Sequence, residues 1–138
     1  MSPEYYQYIF DRLLKNGALD VYLTPIMMKK QRPANMLSVL CKEERADLLR
    51  RIIFEETSTF GIREYKVNRY ALQRNFKTVK TPIGDVRVKM GYMDGKLIKS
   101  HPESDDVKAI AEKTGLSILS VLKILKDYED ENDTENDT

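Results

Sequence analysis

Three cations fall within four residues of the stretch "PIMMKKQRPANML": Lys29, Lys30 and Arg32, with Pro33 fixing the backbone just after them. Ammonium groups act as point charges and a guanidinium as a planar fork, so such a cluster can meet a triphosphate. It equally suits a solvated hairpin tip whose charges discourage edge pairing. A second set lies in "GIREYKVNRYALQR", where Arg63, Tyr65, Val67 and Arg69 share one face of an expected strand and Glu64, Lys66 and Asn68 take the other. Arg87 and Lys89 in "GDVRVKM" repeat that parity and leave Val86 and Val88 for the core. A basic sheet face can bind nucleotides or a nucleic-acid backbone, or can simply face solvent. The third set is "HPESDD", with His101, Glu103, Asp105 and Asp106. Carboxylates of this kind hold Mg²⁺ or Mn²⁺, and they also stabilise the dipole at a helix N-terminus without any metal.

These residues need elements to position them. The segment "SPEYYQYIFDRLLKNG" has Pro3 at a first helical position and Tyr6, Ile9, Phe10, Leu13 and Leu14 at helical spacing before Gly17. "ALDVYLTPIMMKK" and "NMLSVLC" predict two strands flanking the basic loop, and "KEERADLLRRIIFEETS" a helix burying Ala46, Leu49, Ile53 and Phe54. Strand signals then run from Phe60 to Ser100, with turns at Pro82 to Gly84 and Asp94 to Gly95. "ESDDVKAIAEKTG" and "LSILSVLKILKDYE" predict two closing helices. The expected fold class is α+β: a ferredoxin-like α-β-β-α-β unit lacking its first strand, a β-meander and two short C-terminal helices.

A chain of 138 residues, 41% apolar and 33% charged, suits one globular domain with a heavily charged surface. The reading is a single domain over 1–129, within which 76–129 can stand as a subdomain, followed by a disordered acidic tail over 130–138. The formal charge of +1 hides a basic middle and an acidic end. Cys41 is the only cysteine, which excludes an intrachain disulfide and points to a reducing, cytoplasmic setting. In "MLSVLC" it reads as a buried small hydrophobe rather than a nucleophile. No run is long enough for a membrane helix, and the start lacks the character of a signal peptide. Walker, GxGxxG, paired-cysteine zinc and nucleophile-elbow motifs are all absent from the sequence.

"GALDVYLTPIMMKKQRPANMLSVLC", "EETSTFGIR" and "TPIGDVRVKMG" followed by "HPESDD" together resemble the C-terminal part of the nickel-insertion proteins. That family comprises CTP-dependent cyclometallases, nickel chelatases acting on pyridinium-3,5-bisthiocarboxylic acid mononucleotide to make the nickel-pincer cofactor of lactate racemase. The similarity runs from Ser2 to about Tyr128. Lys29, Lys30 and Arg32 match its Met-Lys-Lys-x-Arg-Pro motif, Arg63 its Gly-[Val/Ile]-Arg, and Arg69 and Arg74 its Arg-x-x-Leu-x-Arg. Lys89 falls in its Val-Arg-Val-Lys strand, and Glu103 and Asp106 in its Pro-Glu-x-x-Asp motif. Ser104, Asp105 and Val107 depart from the Tyr, Glu and Cys often found there. The family's Asn-Ile-Asp-Asp strand and histidine-rich N-terminal portion are not in this sequence.

The resemblance implies a lyase-class reaction: nickel enters an organic nucleotide while CTP, with Mg or Mn, is hydrolysed to CMP and diphosphate. It makes Lys29, Lys30, Arg32, Arg63, Arg69, Arg74 and Lys89 the expected nucleotide ligands, and Glu103 and Asp106 the expected metal ligands. Nickel would be bound mainly by the N-terminal portion of the same protein, because a lone His101 cannot supply a nitrogen and sulfur site. CTP, the pyridinium mononucleotide, that N-terminal portion and further copies of the chain are the expected partners, with no membrane. The alternatives are a non-catalytic oligomerisation or regulatory module and, disfavoured by the near-neutral charge, a nucleic-acid-binding module.

Overall fold

Proline early in the chain opens the first helix: a 3-10 turn over Pro3–Tyr5 leads into α1 (Tyr6–Lys15). Ile9 and Leu13, four residues apart on one helix face, are the side chains it buries. β1 (Ala18–Met28) and β2 (Arg32–Cys41) form an antiparallel hairpin in register from Ala18↔Cys41 to Met28↔Arg32, as the sequence predicts. α2 (Ala46–Glu56) contributes Leu49 and Ile52, which join Ile9, Leu13, Ala18 and Val21 in one core. Cys41 is half-buried against that core. Arg12 of α1 pairs with Glu55 at 3.0 Å and with Glu56, tying the start of the chain to the end of α2.

One expectation for α2 needs correction. Phe54 is 47% exposed, whereas Ile52, outside the expected stripe, is 2% exposed. At about 100° per residue Phe54 lies roughly 140° around the helix from Leu49, while Ile52 lies within about 60° of it. The helix therefore buries the Leu49–Ile52 stripe and leaves Phe54 outside.

The larger correction concerns "FGIREYKVNRYALQR". Residues 57–72 form no helix or strand, so the strand expected to follow α2 is absent and pairing begins only at Gln73. Phe60, Tyr65 and Tyr70 are 103%, 81% and 95% exposed, so no buried side chain pins a register there. Within this stretch the chain passes from one compact unit, Met1–Lys66, to a second, Val67–Thr138. Contacts thus divide the chain at Lys66/Val67, upstream of the expected subdomain start at 76.

The second unit is the expected meander with its two helices. β3 (Gln73–Thr81), β4 (Gly84–Met93) and β5 (Lys96–Pro102) pair antiparallel in sequence order. Asp94 and Gly95 both have positive φ, 51° and 75°, as the tight turn between β4 and β5 requires. α3 (Ser104–Thr114) and α4 (Ile118–Glu135) cover one face of the sheet. Val79, Val86, Val88 and Met90 from that face meet Val107 and Ile110 of α3 and Val121 and Leu125 of α4.

The computed structural model describes residues 1–135, and of the side chains those up to 129. Of the acidic tail expected to be disordered over 130–138, the backbone to Glu135 continues α4, and residues 136–138 lie outside the described residues. The architecture is α+β, with two small antiparallel sheets, a meander and C-terminal helices.

Candidate anion-binding site

Side chains alternate across a strand, so a meander with Val86, Val88 and Met90 turned inward must present Arg87, Lys89 and Gly91 on the other face. The register extends this face across three strands. Arg74 lies opposite Gly91, which lies opposite Lys99; in the next row Phe76 lies opposite Lys89, which lies opposite His101. Arg74, Lys89, Lys99 and His101 therefore share one surface, drawn from β3, β4 and β5.

Gly91 makes this surface concave. A Cβ built there would meet Leu72 Cδ1 at 2.8 Å and Lys99 Cγ at 3.6 Å. With no side chain at 91, Leu72 can rest on the sheet and the strap that precedes β3 can cross it. The strap carries Arg69 and Tyr70 to the rim. The result is a pocket of about 250 Å³ whose lining includes Arg69, Tyr70, Arg74, Lys89, Lys99 and His101. Among the described residues Arg69, Arg74 and Lys99 take part in no ion pair, while Lys89 has Glu103 at 3.7 Å. Cations gathered without counter-charges repel one another, and an anion entering the pocket relieves that repulsion.

Asp106 is committed elsewhere. Arg87 donates from Nε to Oδ2, from NH2 to Oδ1 and from its backbone N–H to Oδ2, each at 2.9 Å. These bonds, the side-chain fork first and the backbone donor second, lower the Asp106 carboxyl to about 2. The Arg87 guanidinium is raised in turn. Glu103 is the residue before α3, and its backbone N–H donates to the Arg87 carbonyl at 2.8 Å. Among the described residues no group of three or more His, Cys, Asp or Glu side chains gathers as a metal site. Glu103 thus stands beside a lysine, and Asp106 is forked by an arginine.

In the first unit, Lys29, Lys30 and Arg32 stand at the β1–β2 hairpin tip, all exposed. Lys30 (φ 62°, ψ 26°) and Gln31 (φ 57°) adopt the left-handed conformation that side chains disfavour. An open recess of about 490 Å³ runs beside the tip, lined by Pro25, Ile26, Met27, Pro33, Ala34 and Asn35. Arg63 lies in the irregular stretch of the same unit, next to Glu64, which pairs with Arg50 at 3.3 Å. Arg69, Arg74 and Lys89 are the sequence candidates that the second unit brings together. Lys99, not among the sequence candidates, lines the same pocket, as does His101, which the sequence groups with the acidic cluster. The alternation in "KLIKSHP" after the Asp94–Gly95 turn is the sequence signal that places both on this face.

A fold of this kind defines a class of protein. The chain superposes with a TM-score of 0.85 on the apo form of the C-terminal domain of a cyclometallase involved in the synthesis of the NPN cofactor of lactate racemase. The two are 38% identical, and the match covers 94% of this chain and 89% of that one. A Methanopyrus kandleri protein shares the fold at a TM-score of 0.67 and 21% identity. The family model for nickel insertion proteins matches residues 1–122, and the chain belongs to that family.

Among curated relatives, the pyridinium-3,5-bisthiocarboxylic acid mononucleotide nickel insertion protein of Clostridium kluyveri is 46% identical over 125 residues, which is 91% of this chain and 31% of that protein. Its counterpart in Clostridium acetobutylicum is 47% identical over 123 residues, 89% of this chain and 29% of that protein. The chain thus spans less than a third of the length of these relatives.

Proposed function

We propose that this chain is the C-terminal, CTP-binding portion of a nickel chelatase that inserts nickel into pyridinium-3,5-bisthiocarboxylic acid mononucleotide. The observation that carries this reading is the convergence of Arg69, Arg74 and Lys89, without enough counter-charge, on one concave face of the meander. Membership of the nickel insertion family supplies the reaction class. The chemistry these side chains perform is electrostatic. Arg74 offers a forked donor and Lys89 a point charge to the phosphate oxygens, and both stabilise charge that grows on diphosphate as it leaves CMP. Lys29, Lys30 and Arg32 form a second phosphate-binding group, and Arg63 belongs to the same set of nucleotide ligands.

Mg or Mn accompanies the triphosphate in this reading, with Glu103 and Asp106 as the carboxylates that would border it. Glu103, bordering Lys89, is available to meet such an ion through water. Nickel is cargo, and its ligands come mainly from the N-terminal portion of the same protein. Further copies of the chain are partners, since Tyr22, Met36 and Leu40 leave the outer face of the β1–β2 ribbon apolar and exposed.

Calorimetric titration with CTP in the presence of Mn²⁺ or Mg²⁺, with ATP and GTP as comparators, tests the reading. Metal-dependent binding that favours CTP and weakens at least tenfold in an Arg74→Ala, Lys89→Ala variant is the expected result. Absence of CTP binding by the folded chain, or binding indifferent to that variant, overturns it.

A further inference from the structure

β5 contributes a lysine and a histidine to the pocket that no sequence motif assigns to a nucleotide. Lys99 faces Gly91, and His101 faces Lys89, so both stand on the cationic face at the same level as Arg74 and Lys89. Both are exposed and both line the pocket of about 250 Å³. An ordinary solvated sheet face scatters lysines among acids and spaces them along the strands. Here Arg74 and Lys99 flank Gly91 across the strands, Lys89 stands in the next row, and the only acid paired to a pocket cation among the described residues is Glu103 on Lys89. The arrangement of these cations around a depression floored by a glycine is the arrangement an extended polyanion would neutralise.

We infer that Lys99 and His101 are further anion-binding residues, and that with Arg69, Arg74 and Lys89 they hold the polyphosphate chain of a nucleotide across all three strands of the meander. The inference rests on the CTP reading and deepens it. Gly91 and Leu72 are positioning residues: the missing side chain at 91 lets Leu72 lie on the sheet, and Leu72 fixes the strap that presents Arg69 and Tyr70. The lysines and arginines recognise any condensed phosphate, while Tyr70, 95% exposed at the rim, offers a ring to a base. The floor of the pocket therefore reads phosphate and its rim reads the nucleoside.

Inorganic tripolyphosphate, which has no base, and CTP are titrated into the full chain and into Lys99→Ala and His101→Gln variants, with circular dichroism to show that each variant is folded. Each substitution is expected to weaken both ligands about five- to twentyfold, and Tyr70→Ala to weaken CTP alone. A folded Lys99→Ala, His101→Gln double variant that binds CTP and tripolyphosphate as the parent does overturns the inference and leaves the CTP reading standing if Arg74→Ala still weakens CTP. Tripolyphosphate binding that depends on Lys99 and His101 without any binding of CTP supports the anion site and overturns the CTP reading. Binding of neither ligand overturns both.

Discussion

Lys30 and Gln31 sit at the hairpin tip with φ of 62° and 57°, where a Cβ crowds the carbonyl that follows. Holding a side-chain-bearing residue there costs about 1–2 kcal/mol, and a glycine avoids that cost. Glycine also gives the unfolded chain more freedom, which returns about 0.5–1 kcal/mol. Lys30→Gly and Gln31→Gly should therefore each stabilise the hairpin by about 1 kcal/mol. For a body the size of the first unit, Met1–Lys66, that corresponds to a rise of about 4–8 °C in its melting midpoint.

The two substitutions separate strain from function. Under the proposed reading, Lys30 carries a charge to the triphosphate, so Lys30→Gly should raise the midpoint and weaken CTP. Gln31→Gly should raise the midpoint and leave CTP affinity unchanged. Thermal unfolding followed by far-ultraviolet circular dichroism, paired with calorimetric titration of CTP, reads both quantities. A midpoint that stays put or falls in both variants would refute the strain argument, and a gain in CTP affinity in Lys30→Gly would refute the role given to the lysine. The two gains should not be summed, since neighbouring residues share one turn.

Other expectations follow from the packing and the ion pairs. Leu13 is fully buried in the first core, and Leu13→Ala should destabilise that unit by about 2–5 kcal/mol in denaturant unfolding, with the slope unchanged. Asp106 is held at about 2 in the folded chain against an ordinary value of 3.8. Its stabilising effect is therefore present in full above about pH 4 and lost as pH falls through about 2, and Asp106→Asn should flatten that acid limb in denaturation profiles recorded from pH 5 to 2. Gly91→Val should dislodge Leu72, since even one added carbon approaches its Cδ1 to 2.8 Å. CTP affinity should fall in Gly91→Val with a smaller change in stability, and Gly91→Val combined with Leu72→Ala should keep its fold while Arg69 loses its effect on binding.

Much of this protein was legible in sequence because local signals and burial agreed. The alternation that turns Val86 and Val88 inward, the Asp94–Gly95 turn and the helices before and after the meander all come from patterns spanning a few residues. The basic hairpin loop was legible for the same reason, with apolar strands on either side. The stretch from Phe60 to Leu72 was not, because its alternation of charged and bulky residues is a strand pattern with no neighbouring strand to pair with. Periodicity records which residues could share a face, and only a partner makes that face.

The candidate site divides along the same line. The sequence by itself determined which residues carry charge or an imidazole: Arg69, Arg74, Lys89, Lys99 and His101 are fixed by composition, and the parity of the last four within their strands by the period of two. Tertiary structure decided which of them meet. The register sets Arg74 against Gly91 and Lys89 against His101, distances in sequence that no local pattern encodes. It also decided that Asp106 would be forked by Arg87 across nineteen residues. The physical reason is that a side chain's charge is a property of its residue, whereas a site is a property of the hydrogen-bonded register and of one glycine small enough to let the strap lie down.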